Sequence, residues 1–148
     1  MTSPDFQTTL HLNRIFKASR ERVFRAWTQA DLLEKWFHPV GFHTKVSTLE
    51  LRVGGAYRLD LTGPNGEHSA FSGNYLEIVP PSRLVFTWVS EATNGEQTLV
   101  TLDFIERDGF TEVRLTHDRM ADEAMILAHR LGWEACLEQL PTVLGVLP

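Results

Sequence analysis

A run of strand-like segments fills the middle of the chain, and this run limits the possible folds more than any other feature. Six segments rich in β-branched, aromatic and leucine residues occupy residues 43–51, 56–62, 70–79, 83–90, 97–106 and 110–117. Turn-forming dipeptides separate several of them, namely Asn65-Gly66, Asn94-Gly95 and Asp108-Gly109. Such dipeptides favour hairpin turns, so the run predicts an antiparallel sheet. Pro80-Pro81 lacks N–H donors and predicts a tight connection between the third and fourth segments.

One strand and two short helices are predicted ahead of this run. Residues 6–16 alternate between apolar and polar side chains, as in a half-buried first strand. Ser19 is the expected N-cap of a short amphipathic helix. The spacing of Asp31 and Glu34 matches a capping box, so a second short helix is predicted to begin there and to end before Pro39.

A long helix is predicted after residue 117, where the apolar period changes from that of a strand to that of a helix. Asp122 is its expected N-cap. One stripe is predicted to face the sheet, and it consists of Met125, His129, Gly132, Cys136 and Leu140, widened by Leu131, Trp133 and Leu137. Pro141 predicts either a kink or a new turn near the end.

The order of these elements predicts an α+β fold. A sheet with one buried face needs helices to cover that face. We therefore expect a curved, seven-stranded antiparallel sheet around a long C-terminal helix, with two short helices after strand 1. The chain has 148 residues, the usual size of one domain, so residues 1–148 are expected to form a single domain.

Composition and charge exclude several classes of protein. The net charge is -5 and Lys and Arg form no runs, so nucleic acid is not an expected partner. Cys136 is the only cysteine, which excludes an internal disulfide and metal sites built on several thiolates. The histidines show no metal-binding spacing, and neither a metal nor another cofactor is expected. We expect a cytoplasmic protein without membrane insertion, because the sequence shows neither a secretory signal nor a membrane span.

Several stretches resemble a known family when they are taken together. They are residues 20–28, 35–42, 54–57, 73–81, 83–88 and 129–134. Two runs are specific in combination, Tyr-Leu-Glu-Ile-Val-Pro-Pro-x-Arg-Leu-Val-Phe from Tyr75 and His-x-x-Gly-Trp from His129. The chain is similar over nearly its whole length to START-like (SRPBCC) domains of the family named after the activator of the heat-shock protein 90 ATPase. This resemblance implies the helix-grip fold. Phe37-His38 and Pro141 depart from the family pattern.

A helix-grip domain leaves space where the curved sheet diverges from the last helix, and the side chains around that space are candidate ligand-binding residues. They are Trp36, Phe37, Tyr57, Tyr75, Trp88, Met125, His129, Gly132 and Cys136. His129 is either a polar anchor for a ligand or a core histidine with a partner inside the protein. Trp36 and Phe37 form either a gate over the cavity or a plug between helices and sheet. Cys136 is expected to be a small buried side chain.

The sequence favours a non-enzymatic protein that binds a hydrophobic, aromatic or lipid-like small molecule. No catalytic residue is predicted, because Asp60, Glu77 and Asp103 are as well placed to point to solvent as inward. A cyclase or dehydratase acting on such a ligand is an alternative, and two polar groups with shifted pKa values converging on one space would favour it. A heat-shock protein 90-type chaperone is a less expected partner, because the eukaryotic activators that the chain resembles carry a further N-terminal domain.

Overall fold

The computed structural model describes residues 8–145, which form seven strands and four α-helices. In chain order the elements are β1 (Leu10–Phe16), α1 (Arg20–Thr28), α2 (Ala30–Trp36), β2 (His43–Leu49), β3 (Ala56–Thr62), β4 (His68–Val79), β5 (Arg83–Trp88), β6 (Thr98–Arg107), β7 (Phe110–Asp118), α3 (Glu123–Leu137) and α4 (Leu140–Leu144). The predicted start of the first strand, at residues 6 and 7, lies outside the described residues.

The strands form one antiparallel sheet in the order β1-β7-β6-β5-β4-β3-β2. Consecutive strands from β2 to β7 pair with one another, whereas β1 pairs with β7 rather than with β2. Register shifts between Val46 and Thr48 and between Tyr75 and Glu77 interrupt the ladders, and such bulges bend a sheet. The predicted seven-stranded curved sheet and helix-grip fold are confirmed.

Strands β4 and β5 approach unusually closely at Gly73. A Cβ built on Gly73 would lie 1.9 Å from the carbonyl oxygen of Thr87, so no side chain fits there. The same carbonyl accepts a hydrogen bond of 2.6 Å from the hydroxyl of Tyr57 on β3. The close approach therefore fixes three neighbouring strands at the end of the sheet that carries the tyrosines.

The helix N-caps follow the prediction at two of three positions. The Ser19 side chain accepts a hydrogen bond from the Arg22 N–H, and the Asp122 carboxylate accepts one from the Met125 N–H. The predicted capping box at Asp31 is wrong, because α2 follows α1 directly and begins at Ala30. Glu34 instead accepts a hydrogen bond of 2.9 Å from the backbone N–H of Val46, which joins α2 to β2.

The C-terminal helical segment is divided near Pro141. Helix α3 ends at Leu137, and Pro141 lies in the first turn of the new helix α4, where a missing N–H costs nothing. Leu131 is 61% exposed and does not widen the buried face as predicted. It lies about 200° around the helix from His129, because successive residues of an α-helix are about 100° apart. Trp133 and Leu137 are buried as expected.

Candidate functional site

Three aromatic rings meet between the sheet and α3 and form what we call the aromatic wall. Phe37 follows α2, Trp88 ends β5 and Trp133 lies on α3. The ring centroids of Trp88 and Trp133 are 4.9 Å apart, those of Phe37 and Trp133 are 5.7 Å apart, and those of Phe37 and Trp88 are 6.3 Å apart. The aromatic wall borders two apolar spaces, one on each side.

The inner space lies toward the tyrosine end of the sheet and is almost filled. Its volume is about 30 Å³, room for about one or two water molecules. Besides the aromatic wall, it is lined by Trp27, Leu33, Leu49, Tyr57, Leu59, Tyr75, Leu84 and Phe86. Burial raises the pKa of Tyr75 to about 12 and also raises the pKa of Tyr57. Both phenols are therefore neutral at physiological pH.

The outer recess lies on the α3 side of the aromatic wall and is much larger, at about 220 Å³. Besides the wall it is lined by Pro39, Leu61, Ser69, Phe71, Ala92, Ala128, His129, Gly132 and Cys136, among which there is no charged residue. His129 and Cys136 are buried, whereas Ser69, Ala128 and Gly132 are exposed, so the recess has a buried floor and an open rim. A Cβ added to Gly132 would have no atom within 4 Å.

A chain of hydrogen bonds holds Trp133 against the sheet. The Trp133 indole N–H donates to Nδ1 of His117 at 3.0 Å. Thr98 donates its hydroxyl proton to the Trp88 carbonyl at 2.7 Å, so the Thr98 oxygen accepts from Nε2 of His117 at 2.7 Å. His117 must be neutral for this arrangement, because a proton on Nδ1 would face the indole N–H. Burial, followed by repulsion from His129 when that imidazole is protonated, lowers the pKa of His117 to about 3.

His129 lines the outer recess next to this chain, and one of its two nitrogens is unused. Its ring centroid is 4.9 Å from that of His117. Nδ1 lies 2.8 Å from the carbonyl oxygen of Met125, which only accepts, so Nδ1 carries the proton. Nε2 is buried and has no partner among the described residues. Burial also lowers the pKa of His129, so its imidazole is neutral at physiological pH.

Comparisons with known proteins identify the family. Residues 17–145 match the family model described as Activator of Hsp90 ATPase homolog 1-like protein, AHSA1. The chain belongs to the AHSA1 family. A comparison with curated proteins finds no match.

Solved structures of bacterial proteins share the AHSA1 fold over nearly the whole chain. A protein from Chromobacterium violaceum is 30% identical with a TM-score of 0.84, covering 93% of this chain and 96% of that one. A protein from Rhodobacter sphaeroides is 28% identical with a TM-score of 0.83, covering 98% and 97%. The AHSA1 protein from Silicibacter pomeroyi is 26% identical with a TM-score of 0.81, covering 93% and 97%. The START-like assignment of the sequence is thereby confirmed.

The predicted site residues of this AHSA1 domain do not all line one space. Phe37 and Trp88 border both spaces, Tyr57 and Tyr75 line the inner space, and His129, Gly132 and Cys136 line the outer recess. Trp36 and Met125 line neither space. Trp36 is fully buried, and its indole N–H donates to the carbonyl of Ala26 at 2.8 Å.

The strand carboxylates lie on the other face of the sheet. Asp60 stands between the buried Leu59 and Leu61, and its carboxylate contacts Arg58 at 2.9 Å. Hydrogen bonds from Arg58 and then Ser47 lower the pKa of Asp60 to about 2. Asp103 and Glu77 both contact Arg83, at 2.8 and 3.3 Å. None of the three carboxylates lines either apolar space.

Sequence reasoning missed His117, whose imidazole joins the sheet to the aromatic wall. Its strand alternates, with Val113, Leu115 and His117 buried. Extending that alternation to the end of the strand would have placed His117 inward. Among residues 8–145, no three His, Cys, Asp or Glu side chains are grouped to hold a metal ion, and no helix is long and apolar enough to cross a membrane.

Proposed function

We propose that this AHSA1 domain binds a hydrophobic or aromatic small molecule in the outer recess, and that residues 1–148 act as one domain. The observation that carries the proposal is the recess itself, with a volume of about 220 Å³ and no charged side chain among the described residues that line it. A dry engineered cavity of about 150 Å³ binds benzene, so a substituted ring or a fused pair of rings matches this size. Burying apolar ligand surface contributes about 25 cal/mol per Å² before the costs of association.

The arrangement of titratable groups supports binding over catalysis. Two histidines with lowered pKa values are adjacent, but both nitrogens of His117 are occupied by Trp133 and Thr98. His117 is fully buried and does not line the recess. Among the described residues, His129 is therefore the imidazole that a ligand in the recess would contact. His117 is not available to act with it as an acid and base pair.

Dye binding tests the proposal, and Gly132 is the residue to substitute. We expect N-phenyl-1-naphthylamine, a neutral apolar dye, to gain fluorescence with the protein and to raise its melting temperature by mass action. Gly132→Leu places a side chain in the recess and should abolish dye binding. Leu131→Phe adds bulk on the solvent side of α3 and serves as the matched control, with binding unchanged. Absence of dye binding up to the solubility limit, or equal binding by the two variants, would contradict the proposal.

The family description supplies a second candidate partner, a heat-shock protein 90-type chaperone. A pull-down with purified chaperone and an ATPase measurement test it. Stoichiometric binding with a rise in ATPase rate would favour the chaperone over the small molecule. We rank the small molecule first because the recess offers a volume and a lining that match it.

A further inference from the structure

Two residues that line the outer recess, His129 and Trp88, each carry a buried polar atom without a partner among the described residues. Nε2 of His129 offers a lone pair, because Nδ1 holds the proton for the Met125 carbonyl. The indole N–H of Trp88 is a donor, and Trp88 borders both the outer recess and the inner space. Both atoms are buried and have no partner among the described residues. A buried polar group without a partner is costly, so a ligand that supplies the missing partner is favoured.

The charge of the recess restricts the ligand further. Its described lining contains no Lys or Arg, and burial keeps His129 neutral. A carboxylate would enter without a counter-charge and would lose its hydration. It would also only accept hydrogen bonds, and so leave the lone pair of His129 unused. A hydroxyl on an uncharged ring both donates and accepts, so it can satisfy either group.

We infer that the outer recess selects neutral aromatic alcohols, and that the ligand hydroxyl donates its proton to Nε2 of His129. This inference rests on the proposed binding function and adds the class of ligand. Nε2 is almost fully buried, so the side chains around His129 must shift slightly before a hydroxyl in the recess can reach it, with the ligand rings against the aromatic wall.

Three ligands of matched shape test the inference at pH 7.5. They are 2-naphthol, which donates, 2-methoxynaphthalene, which only accepts, and 2-naphthoate, which is an anion. Equilibrium dialysis gives the dissociation constants without an optical signal. We expect 2-naphthol to bind about tenfold more tightly than the methoxy compound, a factor that one buried hydrogen bond supplies, and the anion to bind most weakly.

Two variants identify the acceptor. His129→Leu should remove the preference for 2-naphthol over 2-methoxynaphthalene, so that the dissociation constants of the two compounds become about equal. Ser69→Ala removes the hydroxyl at the rim and tests the rival acceptor, so the preference should persist if His129 is the acceptor. Loss of the preference in Ser69→Ala but not in His129→Leu would assign the acceptor to the rim and overturn the inference.

The outcomes separate this inference from the binding function on which it rests. Equal binding of 2-naphthol and 2-methoxynaphthalene to the unmodified protein overturns the ligand class and leaves the binding function standing. The same holds if 2-naphthoate binds most tightly. Absence of binding by all three, together with absence of dye binding, overturns both. Since the ligand series uses the unmodified protein, the test does not depend on whether a variant folds.

Discussion

The inner space and the outer recess share three aromatic rings, yet one is almost filled and the other is open. On the inner side, long side chains from four strands point at one another, and Tyr57, Tyr75 and Phe86 bring their ring centroids within 5.5 to 6.1 Å. On the outer side, α3 presents Ala128, Gly132 and Cys136. In this domain the larger space therefore lies where α3 carries small side chains.

Removing the aromatic wall would abolish the difference between the two spaces. Trp133→Ala should join them and destabilise the protein by about 3 to 5 kcal/mol, because a large buried aromatic is lost and a cavity remains. Chemical denaturation measures this loss. Trp133→Phe keeps a ring but not the indole N–H, so a smaller loss is expected. A loss below about 1 kcal/mol for Trp133→Ala would mean that the wall does not support the core.

Lower pH should also destabilise the aromatic wall, because His117 holds Trp133 only while its imidazole is neutral. Its pKa of about 3 in the folded protein is below the ordinary value of 6.5, so the unfolded chain binds the proton first as the pH falls. The stability that His117 contributes is complete above about pH 7 and is lost progressively down to about pH 3. Between pH 7 and pH 5 this loss is about 2 kcal/mol from His117 alone.

The control for this pH dependence is His117→Gln, which cannot be protonated. The variant should be less stable at pH 7 but should lose less stability between pH 7 and pH 5 than the unmodified protein. Denaturant unfolding at both pH values gives the comparison. An identical slope for the two proteins would show that His117 is not the group responsible.

The smallest expected effect comes from a substitution beside the outer recess. Gly132→Ala should stabilise α3 by about 0.5 to 1 kcal/mol, because alanine has the higher helix propensity and its Cβ meets no neighbour. It should also narrow the recess slightly and weaken dye binding. Thermal unfolding and dye titration measure the two effects. Destabilisation would indicate that the space beside Gly132 is not open.

The fold could be predicted from the sequence because its signals are local. Asn94-Gly95 and Asp108-Gly109 lie in the connections that border β6, and Asp122 caps α3 through a residue three positions away. The error at Asp31 was also local, since a match to a capping pattern does not reveal that α1 leaves no room for a loop.

The site could be predicted only in part, because its geometry depends on distant residues. The helical period placed His129 and Cys136 on the buried face. It did not reveal that Trp133 would bind His117, or that the tyrosines would lie on the far side of the aromatic wall. The hydrogen-bond chain joins β5, β6, β7 and α3, and no spacing within one element specifies it.

The buried thiol at the floor of the recess has a consequence for redox chemistry. Burial raises the pKa of Cys136 to about 12, so at pH 7 only about one molecule in 100,000 carries the reactive thiolate. Oxidants and alkylating reagents therefore act on this cysteine mainly when α3 moves away from the sheet. The rate at which Cys136 is modified therefore measures how often α3 opens, and a ligand that occupies the recess should lower this rate.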